Sequence, residues 1–585
     1  MNKAFLSVES SITGRRWVGP GPEVERMSEA ISQRAGLPDA VARVLAARGV
    51  PPEEAAAWLE PRLRDLTPDP STLRDMDLAA ERLADAVERR ERVALFGDYD
   101  VDGAASSAMV ARWLRALGVE PTVYIPDRID EGYGPNVPAM TQLAERHSLI
   151  VCLDCGTLSH EPIAAAVAKG AQVMVVDHHL AAETLPPALA VVNPNRQDED
   201  GALGHLCAAG VAFLLLIAAN RALRGRGAKK LPDLMQLVDL AALATVADVA
   251  PLIGWNRALV RQGLAVMARR GKPGLAALAD AARLNAPPGA YHLGYVLGPR
   301  INAGGRIGAS DLGARLLSTD DPHEAEALAA RLEALNAERR AIEAQVLEAA
   351  AEQAEARGVD GPLAWAAGQG WHPGVLGIVA ARLKERYNRP AVVIGLAEGV
   401  GAGSGRSVAG VDLGSAVAAL AREGLLVKGG GHRMAAGLTV REERLDEAMA
   451  RLSEKLARQG AGAQGPRDLR LDGALTPGGA TVELIETLER AGPFGQGAPA
   501  PRFAFPAVEA AFVKTVGEGH LRVTLRGPGG ARLDAIAFRA FDGPLGPFLS
   551  GLSGAPAHVA GRLEIDDWGG RRKPKLRIED AAPVG

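Results

Sequence analysis

Between residues 92 and 250 the chain alternates short apolar runs with longer amphipathic stretches. "RVALFG" (92–97), "LIVCL" (149–153) and "AQVMVV" (171–176) are too short for helices and read as buried strands. Helical patterns lie among them, "AASSAMVARWLRALG" after the first run and "EPIAAAVAKG" before the third. Strand, loop, helix, strand is the rhythm of a parallel α/β sheet wound on both faces. Further on, Leu328, Leu332, Leu335, Ile342 and Val346 recur at helical spacing. They predict one long amphipathic helix joining two domains, its charges a solvated face. From about residue 468 the pattern changes to short β-like runs between Gly/Pro turns, "RFAFPAVEAAFV", "HLRVTLRG", "RLDAIAFRAF", "AHVAGRLEI" and "KLRIED", which suits a small all-β barrel. The expected organisation is a helical, Pro-punctuated segment (1–75) with no assigned role, an α/β domain (76–318), a connecting helix (319–358), a second α/β domain (359–462) and a β barrel (463–585).

A length of 585 residues agrees with several domains, and 47% hydrophobic with 23% charged residues is ordinary for globular protein. The longest apolar stretch, "LCAAGVAFLLLIAAN", is too short to span a membrane and reads as a buried helix. With no signal-peptide pattern and only three cysteines, the expectation is a cytoplasmic protein without membrane attachment. Cys152 and Cys155 form a C-x-x-C, but no second pair completes a zinc site and an apolar run precedes them. The net charge of −4 disfavours a uniformly basic nucleic-acid binder. That objection weakens if the acids gather around a cation and the bases elsewhere.

The acids do gather. The first run ends in "GDYDVDG", with Asp98, Asp100 and Asp102 at i, i+2 and i+4; the second ends in Asp154, and the third in Asp177-His178-His179. In an extended segment the first three would point to one side. "VDLAALATVADVAPL" adds Asp248. Carboxyl ends of parallel strands are where such sheets place their sites. Carboxylates and imidazoles converging there would repel one another without a cation, and with one or two divalent ions they become ligands. The donor mixture favours Mn²⁺, with Mg²⁺ a possible substitute, and a two-ion site suits phosphoester hydrolysis.

In their order, "GDYDVDG", "LDCG", "VVDHH" and "TVADVAPL" resemble the DHH phosphoesterase superfamily, and within it the branch of single-strand-specific 5′→3′ DNA exonucleases. "GPRINAGGRIG", "HPGVLGIVAARL", "GSGRS" and "GGGHRMAAGL" continue the resemblance, the last three where the family carries its DHHA1 domain. "LERAGPFGQGAPAPRF" resembles its passage into an oligonucleotide-binding (OB) fold. The resemblance implies a DHH domain, a DHHA1 domain and an OB-fold in the three places assigned above. It implies two Mn²⁺ ions on Asp98, Asp100, Asp102, Asp154, His178 and Asp248, with Asp154 bridging. His179, Asp154 and Asp98 would be catalytic, His179 touching the scissile phosphate or the attacking water. Many members carry a histidine four residues before the paired aspartates; here that place holds Phe96, and Asp98 is the nearest substitute. Substrate phosphates would be held by Asn302, Arg306, His372, Ser404, Arg406 and His432.

The implied activity is hydrolysis of single-stranded DNA from its 5′ end to mononucleotides, in repair and recombination. The protein would act as a monomer, with single-strand-binding protein and helicases as partners. "WGGRRKPKLR" adds Trp568, Arg571, Arg572, Lys573, Lys575 and Arg577, an aromatic among clustered bases as single-strand binders use. Two rivals stay open: a superfamily enzyme for very short substrates, which has no need of the β domain, and a degenerate DNA-binding scaffold, which would have lost metal aspartates.

Overall fold

The computed structural model describes residues 3–127, 131–462, 468–567 and 570–584. The chain forms two compact units, one of residues 70–248 and 266–465, the other of residues 1–69, 249–265 and 466–585.

The first unit opens with a five-stranded parallel sheet: β1 (Val93–Gly97), β2 (Thr122–Tyr124), β3 (Leu149–Leu153), β4 (Gln172–Val176) and β5 (Ala190–Val192). All of β1 and β3 is buried, as continuous apolar strands covered on both faces should be. The order is β2-β1-β3-β4-β5, so the chain reverses direction across the sheet between β1 and β3. Such a switch point opens a crevice at the strands' carboxyl ends. Ala94, Phe96, Ile150, Cys152, Val173 and Val175 fill one face against the helices Val137–Ala144 and His160–Ala168. Helices α1 (Val101–Ala116) and α2 (Ala208–Gly225) pack together in the same unit, followed by α3 (Val238–Ala247). The apolar α2 is the expected buried helix; Val211, Leu214, Leu215 and Ala219 are inaccessible to solvent.

A π-helical turn, Leu293–Leu297, leads into α4 (Gly298–Ile307), and the 36-residue α5 (Pro322–Arg357) follows. The predicted stripe on α5 is the buried one, yet its charges are not all solvated. Arg339 is 8% exposed and bonded to Asn336 and Glu343 at 2.9 Å each, which gives both Nη atoms of its buried guanidinium a partner. A second sheet comprises β6 (Ala364–Gln369), β7 (Ala391–Ala397), β8 (Val400–Arg406), β9 (Lys428–His432) and β10 (Ala435–Arg441), in the order β9-β10-β8-β7-β6. Helix α6 (Pro373–Tyr387) covers one face with α5, and α7 (Leu413–Arg422) covers the other.

The other unit is built on β11 (Phe503–Val516), β12 (His520–Arg526), β13 (Arg532–Ala537), β14 (Pro556–Asp566) and β15 (Lys573–Pro583). The ladder runs β11-β12-β13-β15-β14, and β14 pairs back onto β11, closing a five-stranded barrel. Residues 1–69 belong to this unit. Val41, Val44 and Leu45 share a core with Phe503, Phe505, Val523 and Leu576, and Arg16–Val18 pairs with Asp468–Arg470. Trp17, to which no role fell from sequence, is wholly buried and donates Nε1–H to Asp580 Oδ2 at 2.9 Å. Asp580 is equally buried and also accepts from Thr13 Oγ1 and the Ala581 amide. Segment 249–265 joins the unit through the Leu252 amide on Gln496 O and Arg257 on the carbonyls of Trp58 and Arg490.

Candidate metal centre and phosphate-binding cleft

The aspartate triplet is not extended, contrary to what its spacing predicts. Strand β1 ends at Gly97, residues 99–100 form a bend, and Asp102 already lies in the first turn of α1. Asp100 caps that helix, its Oδ1 accepting from the amides of Asp102 (2.8 Å) and Gly103 (3.1 Å). The turn requires Gly103, where a Cβ would stand 2.5 Å from the backbone N and O of Asp98. The three carboxylates therefore part. Asp98 and Asp100 gather with Asp154, while Asp102 gathers with His178 and Asp248; in each set one ligand atom per residue lies within 4.8 Å of the others. Asp154, His178 and His179 form a third such set, so Asp154 and His178 each belong to two.

Asp154 follows β3 in the left-handed region at φ 64°, 2% exposed, and its Oδ1 accepts no hydrogen bond. The Nε2 of His178 is 3.3 Å from that oxygen and 3.8 Å from Asp102 Oδ2, and its Nδ1 is 3.8 Å from Asp248 Oδ2. Both oxygens of the inaccessible Asp102 accept amides at the N-terminus of α2, from Ala208 and Ala209, at 2.7 Å. Burial raises the carboxyls of Asp102 and Asp154, in Asp154 reinforced by the neighbouring aspartates. Burial, then Asp102 and Asp100, push Asp248 up to about 8. Acids this costly to ionise, with a buried oxygen lacking a donor, fit a divalent cation held by oxygen and imidazole.

Asp177, the third acid at a strand end, serves another purpose. Its oxygens accept from the amides of Thr157, His178 and His179, and its Oδ1 lies 2.7 Å from His179 Nδ1. Burial opposes protonation of His179, but the bond to Asp177 prevails and raises it to about 9. Asn193 and Asn195, which no sequence motif singles out, donate to the carbonyls of His179 and His178 and fix the loop. Tyr133 is another such residue; its hydroxyl lies 3.1 Å from the Asp154 carbonyl and 3.2 Å from the His179 ring. A tyrosine in "EGYGPN" carries no periodic signal, so only the fold reveals it. Phe96 points into the apolar layer, its ring stacked on Tyr124 at 5.4 Å. Both cysteines of "CLDC" are buried and free, and burial pushes the Cys155 thiol up, away from the reactive thiolate.

A cavity of about 290 Å³ opens over these groups. Asp98, Asp100, Asp154, His178, His179 and Asp248 line one side, and Arg306, Pro373, Gly377, Ser404 and Arg406 the other. Arg306 donates to Gly374 O (3.0 Å), and Arg406 donates to Ser404 Oγ (3.1 Å) and Gly405 O (2.9 Å). A Cβ on Gly377 would meet Arg406 Nη2 at 2.9 Å and Ser404 Oγ at 3.0 Å, so α6 leaves room for both. The remaining predicted phosphate ligands do not line the cavity. Asn302 Oδ1 accepts the Val101 amide (3.1 Å) and steadies the start of α1; His372 Nδ1 accepts the Gly374 amide (3.0 Å) and caps α6. His432 is exposed at the end of β9, in register with Ala435, itself opposite Arg406.

In the barrel, Trp568 lies outside the described residues. Arg572 is paired with Glu486, Lys575 with Asp566, and Arg577 lies 3.9 Å from Glu564 and 5.2 Å above the Phe538 ring. The pairing register shows what sequence did not: Lys514, Arg522, Ile536 and Arg577 form one row across four strands, and Phe512, Thr524, Asp534 and Lys575 the next. Opposed residues share a face, and Phe512 and Phe538 are about half exposed there, 52% and 47%.

Among known proteins, residues 92–245 match the DHH family, N-terminal domain, residues 360–458 the DHHA1 domain and residues 471–580 the RecJ OB domain. The chain is 38% identical to the single-stranded-DNA-specific exonuclease RecJ of Dickeya dadantii over 94% of its own length and 96% of that protein's. It is 36% identical to the Escherichia coli protein of the same name over 94% and 97%. The crystal structure of RecJ in complex with Mn²⁺ from Thermus thermophilus superposes with TM-score 0.81 at 31% identity, covering 97% of this chain and 79% of that one. The Mg²⁺ complex from the same source gives 0.75.

Proposed function

The chain belongs to the RecJ family, and from that premise we propose how its residues degrade single-stranded DNA. It is a metal-dependent, single-stranded-DNA-specific exonuclease, and our reading of its action is 5′→3′ hydrolysis to mononucleotides. One observation carries the site assignment: three sets of acids and imidazoles are linked through Asp154 and His178 in a cavity whose far wall is Arg306, Ser404 and Arg406. We assign two Mn²⁺ or Mg²⁺ ions to Asp98, Asp100 and Asp154 and to Asp102, His178 and Asp248, with Asp154 shared. Bound there, divalent ions neutralise phosphoryl oxygens and activate water at neutral pH. The protein supplies the rest. Arg406 and Ser404 grip the phosphate next to the scissile bond, with Arg306 beside them, and set its orientation. His179, held by Asp177 and Tyr133, donates an imidazole N–H to a phosphate oxygen. Asp102 is pinned by the α2 amides, and Asn195 holds the His178 backbone.

Asn302 and His372 act one step back, by holding α1 and α6, and His432 extends the phosphate track along the second sheet. In the barrel, Phe512 and Phe538 stack bases, and Arg522, Lys514, Arg571, Lys573 and Arg577 follow phosphates. We place the protein in the cytoplasm as a monomer, where helicases supply single strands and single-strand-binding protein covers them. Strands labelled at one end and then the other, incubated with Mn²⁺, Mg²⁺ or chelator, test the reading. Labelled mononucleotide should appear at once only from the 5′ label, and never with chelator. Internal fragments, or cleavage limited to dinucleotides, would refute it.

A further inference from the structure

We infer that Tyr291 and Tyr295 form a base-stacking platform beside the metal centre, engaging the substrate strand outside the cavity. The inference rests on the single-strand reading above. Tyrosine is scarce, six in the chain, yet these two stand 63% and 74% exposed with ring centroids 5.2 Å apart and planes 22° from parallel. An aromatic pair on a helix surface stabilises it by only a few tenths of a kcal/mol, a weak structural reason to leave two large rings in water.

Their placement gives a better one. Tyr291 precedes and Tyr295 lies within the π-helical turn Leu293–Leu297, an irregularity concentrated at functional positions, anchored by the buried Leu293 and Leu297. On its inner side a Cβ at Gly294 would come within 3.3 Å of Val246. One at Gly298 would reach Ala247 at 3.3 Å and Val101 at 3.8 Å. Ala247 precedes Asp248 and Val101 separates Asp100 from Asp102, so the platform backs onto the turns that carry candidate metal ligands. The cavity is lined chiefly by charged and polar groups, which suit a phosphate, with Tyr99 and Tyr133 as its aromatic members. A strand leaving it meets two open aromatic faces next to the same turns. Base–aromatic stacking is sequence-tolerant, as an enzyme that consumes any sequence requires.

The test uses the full chain with Mn²⁺ and oligonucleotides bearing one abasic residue at successive positions from the 5′ end. For the unaltered protein, kcat/KM should fall about tenfold at one or two adjacent positions and little elsewhere. The Tyr291→Ala/Tyr295→Ala variant should lose about tenfold on the intact strand and no longer distinguish those abasic positions. Tyr291→Phe/Tyr295→Phe should restore both behaviours. Hydrolysis of a nucleoside p-nitrophenyl phosphate, which reaches only the cavity, should be unchanged in all. If the double alanine variant loses this ester activity, the two single alanine variants carry the test. Abasic sensitivity that survives in the alanine variants overturns the inference. An unaltered protein that degrades no single strand overturns the functional reading instead.

Discussion

Replacing Asp154 with Asn separates the electrostatics of the centre from its shape. The backbone there has φ 64°, a conformation Asn tolerates, so the amide keeps the turn while the charge disappears. Without a cation, the folded wild type must bury a carboxylate whose Oδ1 accepts no hydrogen bond, or hold a proton on it against the solvent. An unsatisfied buried group costs about 1–3 kcal/mol, more if charged. In chelator at pH 8, Asp154→Asn should therefore be the more stable protein, by about 1–2 kcal/mol, a few degrees in Tm. With free Mn²⁺ at 100 times its Kd, a bound ion stabilises wild type by about 2.7 kcal/mol. A variant that has lost the shared ligand should gain far less, and the order reverses. Cleavage should fall by about 10³ or more, since the metals' contribution is several kcal/mol. Calorimetric scans of both proteins with chelator and with Mn²⁺, beside turnover of a labelled strand, measure every term. If the variant is less stable in chelator and gains as much from Mn²⁺ as wild type, Asp154 is no ligand. Activity within tenfold of wild type would end the two-ion assignment.

Stability in chelator should fall as pH rises from about 4 toward 8. Asp248 in the fold is raised to about 8 from an ordinary 3.8, so the native state binds the extra proton and loses that advantage across the window. Saturating Mn²⁺ should flatten the slope, and urea titrations at pH 5 and 8 check it. Arg406→Ala should lower kcat/KM about 10²-fold while Mn²⁺ titration by calorimetry stays as in wild type; loss of metal would show that the cation and phosphate walls are not separate. Trp17→Ala should destabilise the barrel unit by about 3–5 kcal/mol through its cavity and the stranded Asp580, read as a shift of that unit's thermal transition alone. Arg522→Ala with Lys514→Ala should lower the slope of log K against log salt on long strands by roughly 0.7 per phosphate contact removed. Phe512→Ala with Phe538→Ala should weaken binding at an unchanged slope.

The motifs were legible because each lies in a few consecutive residues. An apolar run ending in acid marks a strand end at a sheet's active edge, and the order of such runs carried the parallel sheet, the metal aspartates and the family resemblance. The leucine period of α5 and the β-like runs after residue 468 were equally local. What the sequence could not hold is the outcome of closing the chain on itself. Asp98, Asp100 and Asp102 look like one cluster by spacing. They divide between two because a helix begins at Val101 and because Asp102 meets the N-terminus of α2, 106 residues away. Asn302 and His372 read as substrate ligands, yet their side chains hold Val101 and Gly374. Trp17 had no role until Asp580 closed over it, 563 residues on. The row Lys514–Arg522–Ile536–Arg577 exists only once strand register aligns four segments. Hydrophobic periodicity records which side of a segment avoids water. Which distant segment it then meets is decided by packing and by the pairing of buried polar groups, and neither is written in any single stretch.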